Sequence, residues 1–272
     1  MKIVRTTILV LAGLLLAFVV FLAGSVIVDA LVGGSRVEQL TNTEIAGPDG
    51  QMIRAYVARP DAPGTYPGVV MIHEFFGLRP DVVEKAEALA DEGYVVVAPD
   101  TSRGKTTGWI PRAIFLRITT RMEQVVGDLD ATFDWLAGQS DVDPERVAVM
   151  GFCYGGDAAL QYSLAHAKPA ATGIFYGSLV TDPAQLSRLP GPVLGIFGAE
   201  DASIPLGEVE GSGQLRRGGP SPPAGRRWSR RIKQTCVACE LLLCIHAKPA
   251  LTRESAGLPA DAGKAPVAGR LR

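Results

Sequence analysis

The sequence predicts an α/β fold in which helices flank a mostly parallel central sheet, preceded by one N-terminal transmembrane helix. Between residues 37 and 210, short apolar runs alternate with stretches of helical periodicity, as in sheets whose parallel strands are joined by helices. Ahead of this domain lies a run of 21 residues without a charge, residues 8–28. The chain therefore divides into an apolar N-terminal segment, one α/β domain and a C-terminal tail.

The first 33 residues are predicted to be a membrane anchor or a signal segment. At about 1.5 Å per residue, the uncharged run 8–28 covers the roughly 30 Å hydrocarbon core of a bilayer. The alternative is a secretory signal cut after residue 30, although the apolar core of such signals is usually about 7 to 15 residues long. Because Lys2 and Arg5 precede the run, we expect a single-pass membrane protein whose domain lies on the extracytoplasmic side, or a secreted protein if the segment is cleaved.

The domain begins with a hairpin, a buried strand and a helix. A Pro-Asp-Gly turn at 48–50, followed by alternating residues, predicts a hairpin over 43–60. The run Val-Val-Met-Ile at 69–72 predicts a buried strand over 66–73. Apolar residues three and four positions apart predict a helix over 81–92, ended by Gly93.

The later elements alternate strand and helix. Periodicity predicts strands at 94–98, 146–150, 173–176 and 193–197 and helices at 117–137 and 157–167. This order of elements is that of an α/β hydrolase. That fold continues with a further helix, strand and helix, and the tail contains no convincing sequence for them.

One motif indicates nucleophilic chemistry. Residues 151–156 are Gly-Phe-Cys-Tyr-Gly-Gly and place Cys153 where a strand turns into a helix, which is the pattern of a nucleophile elbow. Gly151 and Gly155 would let backbone segments pass closely, and a helix N-terminus aimed at Cys153 would favour the thiolate. A buried, unreactive cysteine is the alternative, and the flanking glycines favour the nucleophile.

Four segments together resemble the dienelactone hydrolase family, a cysteine-dependent branch of the α/β hydrolases. They are His-Glu-Phe-Phe-Gly at 73–77, Ala-Pro-Asp at 98–100, the cysteine elbow, and Gly-Ala-Glu-Asp at 198–201. The resemblance covers roughly residues 40–210. It implies hydrolysis of a small-molecule ester or lactone, and nothing in the domain implies a metal or an organic cofactor.

The resemblance assigns roles to residues that can also be argued physically. Cys153 would be the nucleophile, and the backbone N–H groups of Tyr154 and Phe75 would bind the oxyanion. Glu74 matches a glutamate that contacts the resting cysteine and helps control its protonation; a solvated carboxylate at a strand end is the alternative. Asp201 matches the acid of the catalytic triad, which holds a histidine in its productive tautomer; an ordinary loop aspartate is the alternative.

The general base and a substrate-binding arginine are harder to place. Of the three histidines in the chain, none stands where the family base is expected, roughly thirty residues beyond Asp201. We expect His73 to hydrogen-bond to backbone at a strand end and His166 to lie on the surface, too far from Cys153 to touch it. His246 follows Asp201 as a triad base must, and reaches the site only if the tail folds back. Arg103 corresponds to a family arginine that binds a substrate carboxylate, or else to an exposed Arg-Gly loop.

The tail, residues 211–272, differs in charge from the rest of the chain. Residues 1–210 contain 15 Lys and Arg against 25 Asp and Glu, whereas the tail contains 12 against 3. A disordered basic tail, a partner-binding arm and the product of a reading-frame change are the three interpretations, and we favour the last. Cys236 and Cys239 have the spacing of a redox or zinc half-site, but no second ligand pair accompanies them, so chance is the better explanation.

Two functions follow from these observations. The first is a hydrolase of ester or lactone bonds, anchored in a membrane through residues 8–28. The second is a catalytically impaired α/β-hydrolase scaffold that lacks its general-base histidine and has a binding role. We expect no nucleic-acid partner.

Overall fold

The structure, a computed structural model, describes residues 2–198 and residue 204, and the side chains of residues 3–31 and 37–198 and of residue 204. Asp201, His246 and the whole of the tail 211–272, with its three cysteines, lie outside the described residues.

The described part of the domain contains one seven-stranded sheet. The strands are β1 (Thr43–Ala46), β2 (Met52–Ala58), β3 (Tyr66–Ile72), β4 (Val95–Pro99), β5 (Val142–Phe152), β6 (Thr172–Phe175) and β7 (Val193–Ile196). Their spatial order is β1-β2-β4-β3-β5-β6-β7. The predicted hairpin forms the antiparallel edge β1-β2, β2 pairs antiparallel with β4, and the strands from β4 to β7 are parallel. The α/β class with a mostly parallel sheet is confirmed.

Helices cover both faces of this sheet. The described helices are α1 (Lys2–Leu40), α2 (Pro80–Asp91), α3 (Ile110–Thr119), α4 (Met122–Ala137), α5 (Tyr154–Ala165) and α6 (Pro183–Leu186). Helix α2 packs on one face of the sheet, and α4 and α5 pack on the other. The prediction of one continuous helix over 117–137 was wrong, because Thr120 and Arg121 are extended, with ψ of 122° and 128°. The Thr119 hydroxyl donates to the Phe115 carbonyl at 2.8 Å, and such local side-chain bonds compete with helix continuation.

The core consists of two apolar layers separated by the sheet. On β3, Val70 and Ile72 face α4 and α5, whereas Val69 and Met71 face α2. This alternation is the period of two that a strand imposes on its side chains. All four residues are fully buried, and burying one such side chain stabilises a fold by about 1.5 to 3 kcal/mol. The central strands are therefore fixed in register by their two buried faces.

Helix α1 continues without interruption from the apolar segment to the edge of the domain. Its part from Ile3 to Leu31 is long and apolar enough to cross a membrane, a requirement that signal sequences near an N-terminus also meet. Asp29 on α1 pairs with Arg112 on α3 at 2.8 Å, and the Trp109 indole N–H donates to the Ser25 hydroxyl at 3.1 Å. The end of the apolar segment is thus in polar contact with the domain.

A buried ion pair holds the loop after β4 against α4. Arg103 donates through Nε and Nη2 to both oxygens of Asp128, at 3.1 and 2.7 Å, and also bonds Asp49 in the hairpin turn. Asp128 is fully buried. Its hydrogen bond raises the pKa of Arg103, and the bond from Arg103 lowers the pKa of Asp49. The arginine therefore joins three segments of the domain.

We predict that Arg103→Ala lowers the free energy of unfolding by about 3 kcal/mol, because it leaves the buried Asp128 carboxylate without its cation. Urea unfolding of the full chain in detergent, followed by circular dichroism, measures the change. Arg59→Ala is the matched control. It removes an exposed pair with Asp141 and is expected to cost less than about 1 kcal/mol. Equal, small losses in the two variants would contradict a structural role for Arg103.

Candidate active site

The candidate site lies at the carboxyl edge of the parallel strands. Because β3, β5 and β6 are parallel neighbours, the residues that follow them meet at one edge of the sheet. These residues are Glu74 after β3, Cys153 after β5 and Tyr176 after β6. In open α/β sheets, ligands bind outside the carboxyl ends of the strands. Cys153 therefore occupies the middle of the edge where a substrate is expected.

Cys153 forms the turn between β5 and α5 in a strained conformation. Its φ is 51° and its ψ is −114°, a region that residues with a side chain rarely adopt. The Cys153 N–H donates to the Phe175 carbonyl at 2.9 Å, and the Cys153 carbonyl accepts from the N–H groups of Gly156 and Asp157 at 3.0 and 3.2 Å. The surrounding backbone thus holds the turn and presents the thiol at the sheet edge, where it is half-buried.

Glycines make this turn possible, as the sequence predicts. A Cβ on Gly155 would lie 2.6 Å from the carbonyl oxygen of His73 and would also meet that of Ile72. A Cβ on Gly151 would lie 2.8 Å from the Cα of Gly155, and one on Gly177 would lie 2.8 Å from the carbonyl carbon of Gly156. Real Cβ atoms do not approach backbone so closely. The first turn of α5 therefore packs directly on the ends of β3, β5 and the loop after β6.

The environment of the thiol has opposing effects on its pKa. Burial is the largest effect and raises the pKa of Cys153, and the negative charge of Glu74 raises it further. The hydrogen bond from the Tyr154 N–H and the positive charge of Arg117 lower it. The expected preference for the thiolate is therefore only partly met: the helix N-terminus acts in the predicted direction, but burial outweighs it and the net shift is upward.

Glu74 is held above the end of β5 by a tyrosine. The Tyr176 hydroxyl donates to Glu74 Oε1 at 2.7 Å. Glu74 follows β3 and Tyr176 follows β6, and β5 lies between these two strands. Tyr176 has a φ of 42°, and burial together with this bond raises its pKa. The bond fixes the Glu74 carboxylate beside Cys153, where its charge acts on the thiol.

Arg117 approaches the site from α3. Its guanidinium lies 4.9 Å from the centroid of the Tyr154 ring and 3.3 Å from Asp157 Oδ2. The Tyr154 hydroxyl is buried and has no hydrogen-bond partner among the described residues, and burial raises the pKa of Tyr154 to about 12. The cation–π contact and the ion pair hold the start of α5 from outside the sheet.

The two residues whose amides are predicted to bind an oxyanion, Tyr154 and Phe75, lie at the start of α5 and in the loop after β3. Tyr154 is the first residue of α5, so its N–H has no intrahelical acceptor and points at the thiol, as its effect on the pKa of Cys153 indicates. Phe75 lies in the loop after β3, where its ring is tilted against that of Phe76 with the centroids 4.3 Å apart. The oxyanion role of these amides stays a prediction.

His73 has a structural position at the end of β3. Its Nδ1 is 2.7 Å from the Glu74 carbonyl oxygen, which confirms the predicted backbone bond, and its Nε2 is 3.1 Å from Thr101 Oγ1. The ring is fully buried, with the buried Asp100 carboxylate at 3.8 Å. Burial lowers the pKa of His73. Both ring nitrogens are used, so His73 is not free to act as a base at Cys153.

His166 lies at the other end of α5. Its ring stacks on Tyr162 with centroids 4.7 Å apart, and its Nδ1 is 3.3 Å from Asp130 Oδ1. Helix α5 has 12 residues, which separates His166 from Cys153 by about 18 Å. The prediction that His166 is too far from the thiol to touch it is confirmed.

Comparison with known proteins identifies the fold and family. The model of the dienelactone hydrolase family matches residues 53–215. The chain belongs to the dienelactone hydrolase family. The elbow, the glutamate after β3 and the sheet edge described above all lie inside the matched residues, and the family is one of hydrolases.

Sequence relatives of this dienelactone hydrolase family member carry a related name. A protein named "Putative carboxymethylenebutenolidase" from Synechocystis is 34% identical over 176 residues, which are 58% of this chain and 71% of that protein. A protein of the same name from Yersinia pestis is 31% identical over 185 residues, which are 62% of this chain and 68% of the other.

Solved structures agree with this assignment. The structure named "Putative Dienelactone Hydrolase" from Klebsiella pneumoniae aligns with a TM-score of 0.62 and 28% identity, covering 76% of this chain and 98% of that one. A dienelactone hydrolase-like promiscuous phosphotriesterase from metagenomic libraries aligns with a TM-score of 0.55 and 25% identity, covering 64% of this chain and 75% of the other.

The structure brings some of the predicted site residues together. Cys153 and Glu74, with the amides of Tyr154 and Phe75, lie at one edge of the sheet. Arg103 is not free to bind a substrate in this arrangement, because its guanidinium is already paired with Asp128 and Asp49. A substrate carboxylate would have to compete with both, and that role stays a prediction. Asp201 and His246 lie outside the described residues, and among the described residues no three His, Cys, Asp or Glu side chains cluster as metal ligands.

Three site residues were missed by sequence reasoning. Tyr176 is the last residue of the predicted strand 173–176, so the rule that parallel strands end at one edge places it at that edge but does not name Glu74 as its neighbour. Asp157 lies four residues after Cys153, and the sequence pattern indicates only that it begins a run of helix-forming residues. Arg117 had no signal, because its contact depends on where α3 packs against α5.

We predict that alkylation of Cys153 by iodoacetamide speeds up with rising pH through a midpoint above the usual thiol pKa of about 8.5. The sign follows from burial, which raises the pKa of Cys153 and keeps the thiol neutral until the pH exceeds it. Peptide mass spectrometry follows the Cys153 peptide apart from the other cysteines.

Two variants provide opposite controls. Glu74→Gln removes a charge that raises the pKa of Cys153, so its midpoint is expected at lower pH. Arg117→Gln removes a charge that lowers this pKa, so its midpoint is expected at higher pH. Shifts in the same direction would show that the two charges do not act on the thiol as described.

Proposed function

We propose that the protein hydrolyses ester or lactone bonds of a small molecule with Cys153 as the nucleophile. The conformation of Cys153 is the observation that supports this most strongly. A cysteine with a φ of 51° between a strand and a helix costs of order 1 to 3 kcal/mol of backbone strain, and such strain concentrates at functional sites. A buried cysteine that served packing alone would need no such turn.

The reaction follows from the groups around the thiol. The Cys153 sulfur, as thiolate, attacks the carbonyl carbon of the ester and pushes negative charge onto its oxygen. The Tyr154 and Phe75 N–H groups would donate to that oxyanion. The C–O bond then breaks, the leaving oxygen takes up the proton that the thiol gave to the general base, and an acyl thioester with Cys153 remains; in a lactone the new hydroxyl stays attached to the acyl group. Water hydrolyses the thioester, which releases the acid and restores the thiol.

Glu74 is proposed to keep the resting thiol protonated. Its charge raises the pKa of Cys153, so the free enzyme holds a neutral and less oxidisable thiol. A substrate that displaces Glu74 from beside the sulfur would remove this charge and make the thiolate easier to form. The Tyr176 hydroxyl, which holds Glu74 at 2.7 Å, would set how readily the carboxylate moves.

The general base is constrained by elimination. The chain has three histidines; His73 uses both ring nitrogens at the end of β3, and His166 is at the far end of α5. Of these three histidines, His246 is therefore left as the proposed base, with Asp201 as its proposed acid, and it reaches the site only if the tail folds back. The alternative is an impaired scaffold without a base, and the site supports it only through the absence of a histidine beside Cys153 among the described residues.

We predict that Cys153→Ala lowers the hydrolysis of p-nitrophenyl acetate by at least about 10³-fold, because the covalent step is lost. Absorbance of released p-nitrophenol measures the rate in the full chain in detergent. Ser163→Ala, a small change at a buried side chain of α5 that bonds Thr172, is the control and is expected to retain activity. Equal rates for Cys153→Ala and the parent chain would remove Cys153 from the mechanism.

We predict that His246→Gln lowers the same rate by roughly 10²- to 10⁴-fold, the usual contribution of a general base. His166→Gln is the matched control and is expected to leave the rate unchanged. If His246→Gln has no effect while Cys153→Ala does, hydrolysis by the parent chain proceeds without a histidine base, and the assignment of His246 is wrong.

A further inference from the structure

Helix α3 is apolar on the side that faces away from the domain. Ala113 and Leu116 face the core and are buried. On the opposite side Ile110, Ile114 and Ile118 are spaced by four residues, and they are 59%, 50% and 77% exposed. The side of an amphipathic helix that faces away from the core is usually polar, so an apolar outward side is expected to contact protein or lipid. The outward side of α3 has no protein contact within the described residues that would cover it.

The exposed apolar residues of the described domain are concentrated here. Outside α1, seven large hydrophobic side chains are exposed in the described residues: Met52, Trp109, Ile110, Ile114, Phe115, Ile118 and Tyr176. Five of the seven lie between residues 109 and 118. We call the outward residues Ile110, Ile114, Phe115 and Ile118 the α3 surface. Contiguous apolar patches of this kind mark interaction sites.

The apolar helix α1 contacts the start of α3. On α1, the partly buried side chains near the domain are Leu22, Ser25, Val26 and Asp29, which lie on one helical face. Ser25 accepts from the Trp109 indole, and Asp29 pairs with the buried Arg112 and bonds Thr107. These α1 residues belong to the last turns of the apolar segment that ends at Leu31.

This contact sets the depth of α3 relative to a bilayer. A hydrocarbon core of about 30 Å takes about 20 residues of α1, so a span that begins after Arg5 ends near Val26. Trp109 and Arg112 therefore lie at the level where the span leaves the hydrocarbon. Trp109 has its indole ring half exposed at this level, and tryptophan is enriched at membrane interfaces.

We propose that the α3 surface lies in the boundary between headgroups and acyl chains of the same membrane that α1 crosses. The partner is the lipid bilayer: the four apolar side chains enter the acyl boundary, while the polar contacts of Ser25 and Asp29 hold α3 against α1 at the right depth. An apolar helix face at the interface binds by burial of its apolar area. The proposal does not depend on the hydrolase reaction.

Photo-crosslinking of the full chain tests the proposal. Phe115→p-benzoylphenylalanine places a photoreactive ring on the α3 surface with little change in shape, and Ile118→p-benzoylphenylalanine repeats the test at a second position. Met52→p-benzoylphenylalanine is the control, because Met52 is 50% exposed and lies on the strand β2 and not on α3. Each variant is reconstituted into phosphatidylcholine vesicles and illuminated, and lipid adducts are quantified by peptide mass spectrometry.

We expect the lipid adduct at position 115 or 118 to exceed that at position 52 by about tenfold, since an inserted face is surrounded by acyl chains. Three results would overturn the proposal. They are a lipid yield at both α3 positions no higher than at position 52, a crosslink to a second copy of the chain as the main product, and a crosslink to α1 as the main product. Circular dichroism of each variant before illumination verifies that it is folded.

Discussion

The close approach of the first turn of α5 to the end of β3 is the contact on which the site depends. Gly155 lies so near the carbonyls of Ile72 and His73 that no side chain fits between them. Because of that contact, Cys153 must turn with a positive φ, and its thiol emerges beside Glu74 and not along the axis of β5. The acid, the thiol and the first amides of the helix therefore share one small space at the sheet edge.

Burial and charge act against each other in that space. The thiol is half-buried, which favours its neutral form, and the carboxylate held by Tyr176 favours the same form. The Tyr154 amide of the helix and the positive charge of Arg117 act in the opposite direction and lower the pKa of Cys153. The resting balance is toward the neutral thiol, because burial has the largest effect on the pKa of Cys153. The residues that follow β3 and β6, the strands on either side of β5, thus act on the Cys153 thiol.

Much of the fold was predictable because its signals are local. The run of apolar residues in β3 and the glycines of the elbow specify a buried strand and a tight turn wherever they occur. The bridge from Tyr176 to Glu74 was not predictable in the same way, because it needs the order β3-β5-β6. Asp128 likewise looks like a solvated residue of a helix until Arg103 is known to lie against it.

The break between α3 and α4 shows a different limit. The periodicity of residues 117–137 is helical, and the extended backbone at Thr120 and Arg121, beside the Thr119 hydroxyl bond, interrupts the helix. Propensity does not detect such a break, because it depends on how both helices pack on the rest of the domain. Asp201 and His246 show a third limit. The role of Asp201 follows from resemblance and that of His246 from its place in chain order, and both residues lie outside the described residues.

The ion pair between Asp29 and Arg112 has a further consequence for how the protein is oriented. One residue corresponds to about 100° of rotation around a helix axis, so only one angular setting of α1 brings Asp29 to the buried guanidinium. The apolar helix is thereby prevented from turning freely beneath the domain. The sheet edge that carries Cys153 therefore keeps one rotational position about the axis of α1, and the site opens in one fixed direction relative to that helix.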